Sequence, residues 1–139
     1  FIILFRSIKI SIIGIIPNIF ASTYILGIIG LFKIPLDIMT ITIAAITIGI
    51  AVDNTIHYLY RYKENLNATK DKSLSIKLTH NSVGKAVLTT SLTITLGFSV
   101  LIFSNFIPSV LFGVFTSLAM ILAMIGVLVT LPSLINKIL

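Results

Sequence analysis

Read for polarity alone, the chain is a series of long apolar stretches separated by short polar ones. Four stretches stand out, at residues 10–32, 38–60, 86–104 and 109–135. Each is close to the ~20 residues that an α-helix needs to cross a hydrocarbon layer about 30 Å thick. Residues 1–5 (FIILF) read as the end of an earlier helix. The β-branched content would suit strands, but uninterrupted apolar runs of this length fit helices, which satisfy every backbone donor and acceptor inside lipid. The pattern predicts an all-α membrane protein, a polytopic transmembrane helix bundle, with residues 1–139 forming one partial transmembrane domain.

The polar breaks orient the bundle. Arg6 and Lys9 precede the first span, Lys137 follows the fourth, and residues 61–85 carry Arg61, Lys63, Lys70, Lys72, Lys77 and Lys85 against Glu64 and Asp71. The other two breaks, KIPLD (33–37) and NFIP (105–108), are short and nearly neutral. The positive-inside rule assigns the basic segments to the cytoplasm and the short turns to the outside. Residues 61–85 are then a cytoplasmic connection. Within it Asp71 can cap a short amphipathic helix bearing Leu74 and Leu78, laid along the membrane surface. Tyr58, Tyr60 and Tyr62 read as an interfacial belt where the second span leaves the lipid.

Composition agrees. Of 139 residues, 57% are hydrophobic and only 10% charged, and the mean hydropathy is +1.14, too apolar for the surface of a soluble domain. The net charge of +6 is explained by loop topology, so no nucleic-acid partner is expected. Without cysteine there is no disulfide framework or thiolate metal site. No close carboxylate pair or phosphate-cradling glycine loop with its lysine is present, and the two histidines are far apart in sequence. The expectation is a non-enzymatic protein with no metal site and no cofactor. A start at Phe1 without a leader-like segment reads as a fragment entered partway through a helix.

One stretch breaks the apolar pattern, GIAVDNTIH at 49–57. Every fourth residue, Ala45, Gly49, Asp53, His57 and Arg61, falls on one slowly drifting stripe of the second helix. Small residues in its outer part allow a neighbouring backbone to come close. Asp53 lies eight residues before Arg61, about 12 Å below the cytoplasmic boundary. A charge at that depth costs roughly 2.5–3.5 kcal/mol when it faces lipid, so the stripe is expected to face other helices or a water-filled cavity. The residues alone leave two readings of Asp53, a titrating proton site and a structural hydrogen-bonding group. His57 is a second relay candidate or a wetted polar tip, and Asn54, some 100° away, can bond within the bundle or stabilise a neighbouring charge. On the third span, TTSLTITLGF offers Thr89, Thr90, Ser91, Thr93 and Thr95. Most of these hydroxyls should bond back to their own helix, with one or two free for Asp53. Pro17 predicts a kink in the first span, and Gly97, Gly113, Ala119, Ala123 and Gly126 mark close packing.

These motifs resemble a known superfamily. IPLDIMTITIAAITIGIAVDNTIHYLYRYKENL (34–66) is similar to the fourth or tenth transmembrane helix of resistance–nodulation–division transporters, especially their MMPL-like and hopanoid-exporter-like branch. GKAVLTTSLTITLGFSVLIFSNFIPSVLFG (84–113) resembles the following helix and turn, LPSLI (131–135) the end of the sixth or twelfth, and IIPNIF (15–20) an earlier one. The resemblance implies part of a proton-motive-force-driven exporter permease for hydrophobic or amphipathic compounds, with protons as the coupling ion. It implies a multi-pass protein of the bacterial inner membrane whose partners are the bilayer, the other transmembrane half of the full-length protein, a lipid-like substrate and, in some arrangements, further copies of itself. Asp53 matches the motif's relay carboxylate, and Thr90 and Ser91 match the Thr-Ser pair near which its polar partner lies. Asn54 stands where relatives often carry Tyr or a second Asp. A sterol-sensing-like sensor domain and an accessory subunit of the protein translocase share parts of the pattern.

Overall fold

The computed structural model describes residues 1–35 and 37–138; Leu36, in the 33–37 turn, and Leu139 lie outside the described residues. After a single helical turn, Ile2–Phe5, four long helices alternate in direction: α1 (Ile8–Leu31), α2 (Ile38–Thr69), α3 (Lys72–Phe103) and α4 (Ile107–Ile138). All four are long and apolar enough to cross a membrane, and the described residues contain no strand. The chain is an all-α polytopic bundle.

The 61–85 connection departs from the sequence expectation. α2 continues through Arg61 to Thr69 and α3 begins at Lys72, so only Lys70 and Asp71 turn the chain. Lys70 takes the left-handed conformation (φ 55°) that ends a helix, and its N–H donates to the Leu66 carbonyl. Asp71 then caps α3, its carboxylate accepting from the Ser73 and Leu74 amides. The two extensions are laced by polar contacts: Asn65 Nδ2 donates to Thr79 Oγ1 at 2.9 Å, and the Thr69 and Ser75 hydroxyls meet at 2.8 Å. Ser75 and Thr79 are therefore the buried residues of this segment, while Leu74 and Leu78 face outward. The amphipathic helix exists, but as the first turns of α3 packed on α2, with its leucines on the open side.

At this basic end, Phe5, Ile13, Tyr58, Leu59, Tyr62, Val87, Leu131 and Ile135 make up most of the largest apolar core. The tyrosine belt is corrected accordingly. Tyr58 and Tyr62 are completely buried because α3 and the end of α4 close over them, and only Tyr60 remains exposed. Near mid-depth three alanines, Ala21, Ala51 and Ala123, let α1, α2 and α4 come close together. A second core of Ile25, Ile29, Ile43, Phe115 and Ala119 fills the opposite end. There Asp37 caps α2 through a reciprocal pair with Thr40, each bond 2.9 Å.

The small residues divide into two kinds. A methyl group added to Gly113 would lie 2.7 Å from the Phe98 carbonyl oxygen, so here α3 and α4 touch backbone to backbone. Gly126 packs on Pro17 of α1, where α4 passes through a wider turn, Gly126–Thr130. Gly97 instead faces open space, contrary to its expected packing role. α1 runs helically through Pro17, and Asn18 beside it donates to the Gly14 carbonyl at 2.7 Å.

Candidate functional site

α2 is built with two faces. Ile43, Thr47, Ala51, Thr55, Tyr58 and Tyr62 recur at three- and four-residue spacing and point into the bundle. The stripe Ala45, Gly49, Asp53, His57 and Arg61 falls on the other side, and all five are exposed. The Asp53 and His57 side chains are 69% and 68% exposed, with Asp53 Oδ1 lying 3.5 Å from His57 Nε2. That separation is just beyond a good hydrogen bond, and the contact becomes an ion pair when the imidazole is protonated. One and two turns on, Arg61 and Glu64 form a second pair at 2.6 Å. A methyl group added to Gly49 would meet nothing within 4 Å.

Asp53 and His57 are thus brought together, on a face that none of this chain's other helices covers. Of the two expected surroundings, other helices or a water-filled cavity, the first is not supplied by the described helices of this chain, because α2 packs its opposite face against α1, α3 and α4. Asn54 is half-buried at the flank of the stripe.

Thr90 and Ser91 are not brought to Asp53. From Lys85 onward α3 packs principally on α4. Thr90 donates to its own helix, to the carbonyls of Ala86 and Val87, while Ser91 is buried. Thr89 and Thr93 also bond back one turn, to Lys85 and Thr89. Among the described residues no hydrogen bond links α3 to Asp53.

The interior holds a polar contact that the apolar pattern of α1 does not mark. Asn18 of α1, 6% exposed, donates to Thr55 Oγ1 of α2 at 3.3 Å, and Thr55 in turn donates to Ala51 at 2.8 Å. Its signal in the sequence is that Thr47, Thr55 and the two buried tyrosines share one inner face of α2, and Asn18 follows Pro17. This pair sits on the side of α2 opposite Asp53 and links α1 to α2. Interhelical bonds of this kind average about 0.6 kcal/mol in membrane bundles.

The comparisons with known proteins bear on this geometry. A family model described as the MMPL family matches residues 1–138. The chain is also similar, at 31% identity over 134 residues, to a membrane protein of the archaeon Methanocaldococcus jannaschii, a match that takes in 96% of this chain. The chain spans 34% of that relative's length. No solved structure matches.

Proposed function

Because this chain belongs to the MMPL family, we propose that it is part of a proton-driven exporter permease of the resistance–nodulation–division type, moving hydrophobic or amphipathic compounds. The observation that carries this reading is the ionisable face of α2, with Asp53 and His57 3.5 Å apart and no helix of this chain over them. Left against lipid, a charge at that depth costs roughly 2.5–3.5 kcal/mol. Covered by another helical half of the longer protein, the same face becomes a closed polar seam, and open Gly49 and Ala45 allow a close approach. Asp53 then loads a proton from outside and releases it toward the basic, cytoplasmic end; His57, one turn nearer that end, receives it. Asn54 flanks the seam as a neutral hydrogen-bonding group. Thr90, bonded back to its own helix, and Ser91, buried on α3, are not direct partners of Asp53 in this reading.

In this reading the protein works without covalent chemistry or a resident cofactor, the proton being the coupling ion. It lies in a prokaryotic plasma membrane with the 61–85 segment inside. The archaeal relative keeps the host from being narrowed to bacteria.

The test is reconstitution of the longer protein that contains this chain in vesicles carrying a pH-sensitive dye. An imposed proton gradient is expected to drive uptake of an amphipathic dye substrate, with matching proton movement inside the vesicle. Dye accumulation that ignores the gradient would overturn the reading. In the same assay His57→Ala is expected to slow coupled transport by roughly tenfold, short of the 100-fold or more typical of a positioned acid–base group. Complete loss would make His57 an obligatory relay member; no loss would remove it from the path.

A further inference from the structure

At the basic end, the start of α3 and the end of α4 leave a groove of about 310 Å³ between them, lined by Ser73, Ile76, Pro132, Ser133 and Asn136. Its lining combines two apolar residues with two hydroxyls and an amide. Each wall also continues into a lysine: Lys77 lies one turn from Ser73 on α3, and Lys137 one turn from Ser133 on α4.

Among the described residues these cations have no carboxylate partner. Of the two acids at this end, Glu64 is paired with Arg61 and Asp71 is occupied in capping α3. Among the described residues no ion pair involves Lys72, Lys77 or Lys137. All the basic residues of the chain except Lys33 gather at this end, which gives the groove a positive potential.

Its depth identifies the anion. Ser133 is 26 residues beyond the start of α4 at Ile107, or about 39 Å along the helix. A hydrocarbon core of about 30 Å with its headgroup layers reaches 40–45 Å in total, so the groove lies at headgroup level. The two hydroxyls and the amide offer hydrogen bonds to a phosphate, the flanking lysines offer charge, and Ile76 and Pro132 add apolar surface beside them. We propose that this groove binds the phosphate headgroup of an anionic membrane lipid.

Lipid retained by the purified protein through detergent exchange, read by native mass spectrometry, tests the proposal with phosphatidylglycerol and phosphatidylcholine as probes. Phosphatidylglycerol is expected to be retained preferentially. The double change Lys77→Gln with Lys137→Gln is expected to cut that retention by about tenfold, given the attraction of each surface lysine for anionic lipid. Ser133→Leu, which fills the groove and leaves the charge intact, should lower it as well. A control pair at the same end but outside the groove, Lys9→Gln with Lys70→Gln, should leave retention within about twofold. Equal retention of the two lipids would overturn the proposal. So would a control pair as damaging as the groove pair, which would mean a diffuse surface field, or displacement of the lipid by millimolar inorganic phosphate, which would mean a free-anion site. Dye transport need not change in any of these variants, so failure here is separable from failure of the exporter reading.

Discussion

Asp53→Asn is expected to abolish proton-coupled transport while leaving the bundle folded. The amide matches the carboxylate in shape and size but cannot take up and release a proton, and coupled flux should fall by roughly 100-fold or more. Stability should hardly change, since the Asp53 side chain is 69% exposed and its one polar side-chain contact among the described residues is with His57, itself on the same open face. A substitution on an exposed surface usually moves stability by no more than about 0.5 kcal/mol. The measurement is gradient-driven dye transport in vesicles beside thermal unfolding of the same preparation. Transport at the unmodified rate would remove Asp53 from the mechanism. A protein that failed to insert or fold would return Asp53 to a structural role.

Gly113→Val is expected to have the reverse profile, a large loss of stability from a residue with no ionisable neighbour. An added Cβ at Gly113 meets the Phe98 carbonyl oxygen at 2.7 Å and Leu101 Cβ at 2.8 Å. The first contact is backbone, so no side-chain rotation relieves it, and α3 must move away from α4. The Phe98–Phe112 edge-to-face contact and the Ser117-to-Thr95 hydrogen bond lie in the same interface and would be strained together. Overpacking of this kind costs about 1–3 kcal/mol, sometimes more. Gly97→Ala is the control: with nothing near the new methyl, it should be neutral or stabilising by up to about 1 kcal/mol, the helix-propensity difference. Thermal unfolding in detergent compares the two. Equal midpoints would mean that the α3–α4 contact is not as close as described.

Hydropathy made the four spans and their alternation readable, because lipid leaves the backbone little choice but helix. The stripe through Asp53 and His57 was equally readable, since a four-residue repeat fixes which side chains share a face. What the repeat cannot fix is where that face points. The same 3.6-residue period describes the buried row through Thr55 and Tyr62 and the open row through Asp53, and only the packing of α1, α3 and α4 distinguishes them. Thr90 and Ser91 illustrate the same limit from the other side: their position on α3 was clear, but α3 leans on α4. The helical extent of 61–85 was not legible for a different reason. Charge density marks the end of the hydrocarbon, not the end of a helix, and α2 and α3 both continue past it, held by hydrogen bonds of Asn65, Thr69, Ser75 and Asp71. The glycines were equivalent in sequence, and only the neighbours separate Gly113 from Gly97.

The two-residue turn at Lys70 and Asp71 has a mechanical consequence. With 32 residues, α2 is about 48 Å long, so its basic third stands clear of the hydrocarbon, stiffened by α3 alongside. From Asp53 to Thr69 is about 24 Å of unbroken helix, and a tilt of about 10° near Asp53 swings the tip by about 4 Å. The hairpin is a lever arm whose short side lies at the carboxylate and whose long side reaches the aqueous phase. A spectroscopic label at Asn67, beyond the hydrocarbon and exposed, would report on a change of charge deep within it.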